Sequence, residues 1–502
     1  MAVTLALATP PVTAAYADTS SESAVSALID NAAGSPTKLR VLLREMPKGG
    51  DLHNHLSGAI YAEDYIEWAR EAGFCTEGAA IALPPCPVRQ GAPASADARS
   101  GAEARLIDSL STRGYRQGIG RNEVSGHTQF FQTFDKFAPI AARSTARMLV
   151  AERRIAAGDR LSYLELDHDT RTLSEYIGSS PAGPLDEAGL AARYAEEIAK
   201  VGPLLGKASA ELDRDEATVR RDLGCDGPHP EPGCAVTVRY LFQGFRAVPP
   251  GYVFRSLVLA FAMADHDPRF VGVNIVQPED DVLALRDYDL HMAMFRFLEA
   301  KYPNVRRSLH AGELTLGFVA PQHLRDHIAK AVASGAQRIG HGTDIAFEEG
   351  ARETMAKMAR EGIAVEINLT SNDVILGVSG VDHPLSLYRS MGVPVVLATD
   401  DQGVLRTDMT NEYVRAVRDQ GLHYGELKNI ARAGITYSFL PGESLWKDRK
   451  PGTPVAACAA SFAEAGCRRL LAASEKARME ADLETRFDSY ERTLLAVPAT
   501  LQ

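Results

Sequence analysis

No apolar run in this sequence approaches the ~20 residues that a membrane-spanning helix requires, so that class of anchor is excluded. Basic residues are the minority: 54 Lys and Arg stand against 65 Asp and Glu, a formal net charge of −11. A surface of that sign argues against a nucleic-acid groove or an anionic bilayer as partner, since both attract cations. Cysteine is sparse, at six residues, and no Cys-x2-Cys spacing occurs, which excludes a zinc site built on cysteines. No lysine or arginine precedes Lys38, and no internal repeat is visible.

What is present is bulk and alternation. A chain of 502 residues with 45% hydrophobic residues can bury a large core and exceeds the ~250 residues of a minimal barrel. Eight strand-like runs alternate with helical segments: 51–56, 161–166, 236–242, 271–276, 305–309, 338–340, 364–368 and 395–399. Eight such alternations predict an α/β fold, a (β/α)8 TIM barrel. Two stretches exceed a minimal barrel. One is a loop-rich insertion after strand 1, over 75–123. The other is an excursion before strand 3, over 202–235, helical in 208–221. The expected organisation is a secretory signal over 1–17, a helical lead-in over 18–45, the barrel over 46–440 and extra C-terminal helices over 441–502.

The first residues, an Ala-rich apolar stretch ending in Ala15-Tyr16-Ala17, resemble a signal with its cleavage site, although an Ala-rich tail without its basic start reads similarly. The cysteines favour the signal. They fall into three local pairs, Cys75 with Cys86, Cys225 with Cys234 and Cys458 with Cys467, a pattern that suits small disulfide-closed loops in an oxidising compartment. A secreted or periplasmic location is therefore expected.

The most informative feature is His53-Asn54-His55. Alternate residues of a strand share a face, so the two imidazoles project together, and neutral imidazole is a good zinc ligand. A satisfied pair of strand histidines is the competing reading. Four further stretches decide between them: His310-Ala311-Gly312-Glu313 at the end of an apolar run, Gly340-His341-Gly342, Thr370-Ser371-Asn372 closing another strand, and Thr399-Asp400-Asp401 closing the last one. All sit at C-terminal ends of predicted strands, where barrel enzymes build their sites.

In that order, and preceded by Met46-Pro47-Lys48, these motifs resemble the adenosine deaminase family of metal-dependent hydrolases, over about Met46 to Leu440. The Met-Pro-Lys-Gly-Gly opening and the signal-like start look most like its secreted, growth-factor-related branch. The resemblance implies one Zn2+ per chain, held by His53, His55, His310 and Asp400. It implies Glu313 as donor of a proton to the purine ring nitrogen, and His341 taking up or orienting the proton of the attacking water. Asp401 would hold the substrate or that water, with Gln277 and Gly312 also against the substrate. The implied reaction converts adenosine or 2′-deoxyadenosine to the inosine product and ammonia.

Two departures bear on substrate shape. The family's Gly-x-Glu after strand 4 reads Gln277-Pro278-Glu279, and Gln402-Gly403 follows Asp401 where proline is common. They keep open the same chemistry on adenine or a modified 6-aminopurine nucleoside. A silent binding protein on the same scaffold would show an eroded ligand or a lost Glu313, and neither is seen. A two-metal site is disfavoured because 271–276 contains no lysine. The expected partner is a small purine nucleoside, with neither nucleic acid nor membrane, and a homodimer stays open. His168, His229, His266, His291, His323, His327, His383 and His423 lie outside any motif and are expected at the surface or behind the site.

Overall fold

In a computed structural model, residues 19–76, 78–84, 96–115, 124–179 and 181–496 are described. The expected signal over 1–17 and Cys86 lie outside them. Eight parallel strands run in chain order, β1 (Gly49–His55), β2 (Leu161–Asp167), β3 (Thr237–Phe245), β4 (Phe270–Val276), β5 (Arg306–Ala311), β6 (Arg338–His341), β7 (Ala364–Ile367) and β8 (Val395–Leu397). A parallel bridge between Asn54 and Asp400, with Asp400 N–H donating to His53 O and His55 N–H to Asp400 O, joins the last strand end to the first. The eight expected runs fall on these strands, and the fold is a (β/α)8 barrel.

Helices cover the outside, so most strand residues are buried, and several strands carry buried polar residues, among them Asp51, Glu165, Arg338 and Glu366. Where strand and helix come closest, side chains are excluded. A Cβ on Gly49, which sits at φ +68°, would lie 2.0 Å from Ala431 O in the helix Tyr424–Thr436, so only glycine fits this position. The preceding Lys48 has a structural role. Its buried Nζ donates to the carbonyls of Leu43, Met46 and Asp159 at 2.9–3.0 Å, satisfying the end of the helix Pro36–Leu43 and tying it to the turn before β2.

Inside the barrel, fully buried Arg338 bridges two equally buried carboxylates, with Nη2 2.5 Å from Glu165 and Nε 2.5 Å from Glu366. Its guanidinium lies 3.8 Å from the centre of the Phe439 ring. Charge and hydrogen bonds are both satisfied there, as burial demands.

Two expected boundaries shift. Described residues of the 75–123 insertion include a helix, Ala96–Ser109. The excursion has no helical start at 208, because one helix runs over Leu190–Asp222 through Pro203. Proline there removes one hydrogen bond, while Leu190, Val201, Ala208, Leu212 and Val219 are buried along the same helix and keep it continuous by packing. The disulfide Cys225–Cys234 closes only the turn that follows. Cys458–Cys467 forms as well, inside a small second core with Leu445, Trp446 and Phe462 under the C-terminal helices. Cys75 is disulfide-bonded too. With 9 residues of separation, replacing both Cys225 and Cys234 by serine should cost roughly 2–3 kcal/mol by loop entropy. Comparing denaturant midpoints of wild type and variant checks this.

Candidate metal centre and active site

At the C-terminal end of the barrel, β1 delivers His53 and His55, β5 delivers His310, and the bend after β8 delivers Asp400. Asp400 Oδ1 is 3.3 Å from His53 Nε2 and 3.3 Å from His55 Nε2, and His55 Nε2 is 3.3 Å from His310 Nε2. Ligands at ~2.0–2.1 Å around a tetrahedral zinc sit about 3.4 Å apart, close to each of these three separations. The tautomers fit as well. His53 Nδ1 donates to Glu366 Oε2 at 2.8 Å, which leaves a buried Nε2 with no hydrogen-bond partner. Asn274 Oδ1 accepts from the backbone N–H groups of Ile275 and His310, so it is the oxygen, and His310 Nδ1 must donate to it at 2.9 Å. Both rings are thereby left with a bare Nε2 facing the cluster, the arrangement of metal-binding histidines.

Two overlapping groups could hold an ion: His53, His310, His341 and Asp400, and separately His55, Asp400 and Asp401. Although burial raises the Asp400 carboxyl, His53 and His55 outweigh it and hold Asp400 well below the usual range.

Glu313 faces this cluster from the loop after β5. Burial, then Asp400 and Glu279, push its carboxyl well above the ordinary value, so it keeps its proton. Its backbone is anchored by Glu279, which accepts from Glu313 N–H at 2.9 Å and Gly312 N–H at 3.2 Å. Glu279 is itself an anion: burial alone would raise it, but Arg246 and His327 bring it to about 2. Arg246 also donates to His310 O at 2.9 Å. Burial lowers His341 to about 3, and its Nε2 lies 3.8 Å from Glu313 Oε1. Asp401 packs directly over Gly58, where a Cβ would lie 1.5 Å from Asp401 Oδ1, and this oxygen has no partner. Seven non-glycine residues among those described have positive φ, and three of them are Gln277 (84°), His341 (65°) and Asp400 (60°). Such backbone strain concentrates at functional sites.

His55, Gln277, His310, Glu313, His341, Asp400 and Asp401 line a cavity of about 360 Å³, within the range of small-molecule sites. Its wall is aromatic: Phe130, Phe131 and Phe134, from the helices Gly126–Phe131 and Thr133–Ala141, with Phe245 opposite.

Of the expected substrate contacts, Asp401 and Gln277 line the cavity and Gly312 does not. The N–H of Gly312 is taken by Glu279 and its carbonyl by the N–H groups of Thr343 and Asp344. Gln277 keeps the backbone shape of the glycine it replaces, and its side-chain oxygen accepts from Ala247 N–H at 2.9 Å. Gln402 turns away to Glu152, 2.6 Å distant, and lines no part of the cavity. Sequence reasoning missed the aromatic wall, although Phe130-Phe131-Gln132-Thr133-Phe134 signals it. It also missed Glu279, Asn274, Glu366 and Arg246, whose partners lie far away in sequence.

The fold is a (β/α)8 barrel with a buried cluster of histidines and an aspartate at its strand ends. Residues 203–447, just under half of the chain, match the family described as adenosine deaminase. An aminodeoxyfutalosine deaminase from Streptomyces coelicolor is 36% identical over 27% of this chain and 33% of its own length. An N6-methyl-AMP deaminase from Danio rerio is 29% identical over 42% of this chain and 57% of its own. The chain thus spans less than two thirds of these relatives. An amidohydrolase from Burkholderia ambifaria, solved with bound zinc, has a TM-score of 0.56 over 91% of this chain and 95% of its own, at 17% identity, a likeness of fold.

Proposed function

We propose that this protein is a metal-dependent hydrolytic deaminase that converts adenosine or 2′-deoxyadenosine to the inosine product and ammonia. The observation that carries this reading is Glu313, a buried carboxyl beside His341 in an aromatic-walled cavity lined also by His55, His310 and Asp400; burial there favours its protonated form. His53, His55, His310 and Asp400 would hold the ion, with zinc the expected one. When bound, such an ion supplies ionised water near neutral pH by lowering its pKa to about 7.

The rest is the work of the chain. An aromatic amidine accepts an oxygen nucleophile only if a ring nitrogen can take the displaced electron density, and Glu313 would give that nitrogen its proton. Burial opposes the pull of a nearby dication on this proton. Phe130, Phe131 and Phe134 would stack on the purine and exclude water, while Asp401 would accept a hydrogen bond from the base. Gln277, held to Ala247, supports a second reading, the same chemistry on adenine or a modified 6-aminopurine nucleoside. The two disulfides support export through the signal-like 1–17 and a place in the secreted, growth-factor-related branch. Free thiols at Cys225 and Cys234 in protein recovered from its native host would sink that part.

Ammonia release from a panel of adenosine, 2′-deoxyadenosine, adenine and N6-methyl-AMP tests the reading. Release from none of them overturns it. Elemental analysis should find about one zinc per chain, and His55→Ala should lose most of it. Stoichiometric zinc held with unchanged affinity in His55→Ala would remove that ligand from the set.

A further inference from the structure

His341 is held differently from the other imidazoles of the centre, and the difference can be traced to a backbone donor. Leu385 N–H, the first of the helix Leu385–Ser390, points at His383 Nδ1 from 3.1 Å. A backbone N–H can only donate, so His383 Nδ1 must accept, and the ring's one proton sits on Nε2. That nitrogen lies 3.0 Å from Asn372 Oδ1. With its oxygen committed to His383, Asn372 turns its amide nitrogen to His341 Nδ1, 3.0 Å away, while Asn368 Nδ2 lies 3.3 Å from Nδ1 and 3.5 Å from Nε2 and does not choose between them. His341 Nδ1 is therefore an acceptor. Its proton is on Nε2, the nitrogen nearest Glu313. A doubly protonated ring conflicts with the same contact, because its Nδ1–H would meet an amide N–H. All four side chains are buried, so water cannot relax the constraint.

We propose that the relay Leu385 N–H to His383 to Asn372 fixes His341 as a hydrogen-bond donor at Nε2, and that His383 is a positioning residue for it. His53 and His310 carry their protons on Nδ1 and offer a bare Nε2, whereas His341 is locked in the opposite tautomer. Of the group His53, His310, His341 and Asp400, His341 is thereby removed as a donor to an ion through Nε2. In the resting site His341 offers a proton to an incoming oxygen nucleophile and orients it, and has no lone pair at Nε2 with which to remove one. This consequence for catalysis rests on the hydrolase reading; the tautomer does not.

The test is nitrogen NMR of zinc-loaded, full-length protein labelled with ¹⁵N-histidine, with His341 assigned by substitution. The expected wild-type result is a bare Nδ1 and a protonated Nε2. Asn372→Asp, an acceptor of the same shape, should move the proton to Nδ1 and lower kcat on the order of 10²-fold with a smaller change in KM. His383→Phe frees Asn372 to rotate and should mix the tautomers, and His383→Gln, whose amide can still donate to Asn372, should restore the wild-type one in part. Should Asn372→Asp fail to fold, the His383 pair decides. A bare Nε2 in the wild type overturns the proposal, as does a tautomer unmoved in Asn372→Asp or His383→Phe. The expected tautomer in a protein that deaminates no aminopurine would leave the relay standing and sink the hydrolase reading.

Discussion

Glu313→Gln should keep its zinc, bind aminopurine and lose most of the deamination rate, on the order of 10²–10⁴-fold, the usual range for a removed general acid. Glutamine preserves the shape and one hydrogen bond but has no acidic proton for the ring nitrogen. The backbone is anchored independently of the side chain, since Glu279 accepts from the N–H of Gly312 and of Glu313, so the loop should stay in place. Steady-state kinetics with metal analysis of the same preparation separates the outcomes. Zinc lost from the variant would make Glu313 a ligand, and near-normal turnover would place the proton donor elsewhere. Asp401→Asn should differ, because Asp401 lies beside the cavity with one unpartnered oxygen. Its effect should vary with the purine offered.

The strands and the centre were legible because both depend on local pattern. Parallel strands buried on both faces must be apolar runs, and polar residues that close such runs have few roles other than a site. His53, His55, His310, Glu313, His341, Asp400 and Asp401 were singled out that way; all but His53 line one cavity, and His53 lies with His310, His341 and Asp400. What stayed hidden depends on partners distant in sequence. Lys48 belongs to a recognisable motif, yet its job is to satisfy carbonyls around a helix end. Gln402 reads as a departure bearing on substrate shape by its place after Asp401, and only the fold reveals Glu152 as its partner. The excursion reads as helical only over 208–221, whereas buried residues on both sides of Pro203 hold one longer helix together. His383 carries no motif of its own, and its link to His341 passes through Asn372, which the sequence marked only as the end of a strand.

Arg338 ties the centre to the barrel core, and Arg338→Met should be the most destabilising single change considered. Glu165 and Glu366 are each paired to this one guanidinium and are fully buried. Methionine fills much of the volume but leaves two carboxylates without their cation, and removing one partner of a buried ion pair costs about 3–5 kcal/mol. The loss should exceed that of cutting the Cys225–Cys234 disulfide, and urea unfolding followed by circular dichroism measures both. A second effect should reach the metal. Burial alone would raise the Glu366 carboxyl, and Arg338, with help from His53 and Ser308, brings it to about 2. Without Arg338 the carboxyl tends to take up a proton, and its bond to His53 Nδ1 no longer needs a carboxylate acceptor. The tautomer that leaves His53 Nε2 bare then loses its anchor, so zinc affinity should fall by 10–100-fold, the usual cost of losing such a partner. Arg338→Met combined with Glu165→Gln and Glu366→Gln should recover part of the stability, since neutral amides tolerate burial better than unpaired carboxylates. The triple variant should still bind zinc more weakly than wild type, because a neutral amide at position 366 supports His53 less than a carboxylate does. If Arg338→Met unfolded within about 1 kcal/mol of wild type, the two carboxylates would have to be neutral in the native protein, and the ion-pair account of the barrel core would fail.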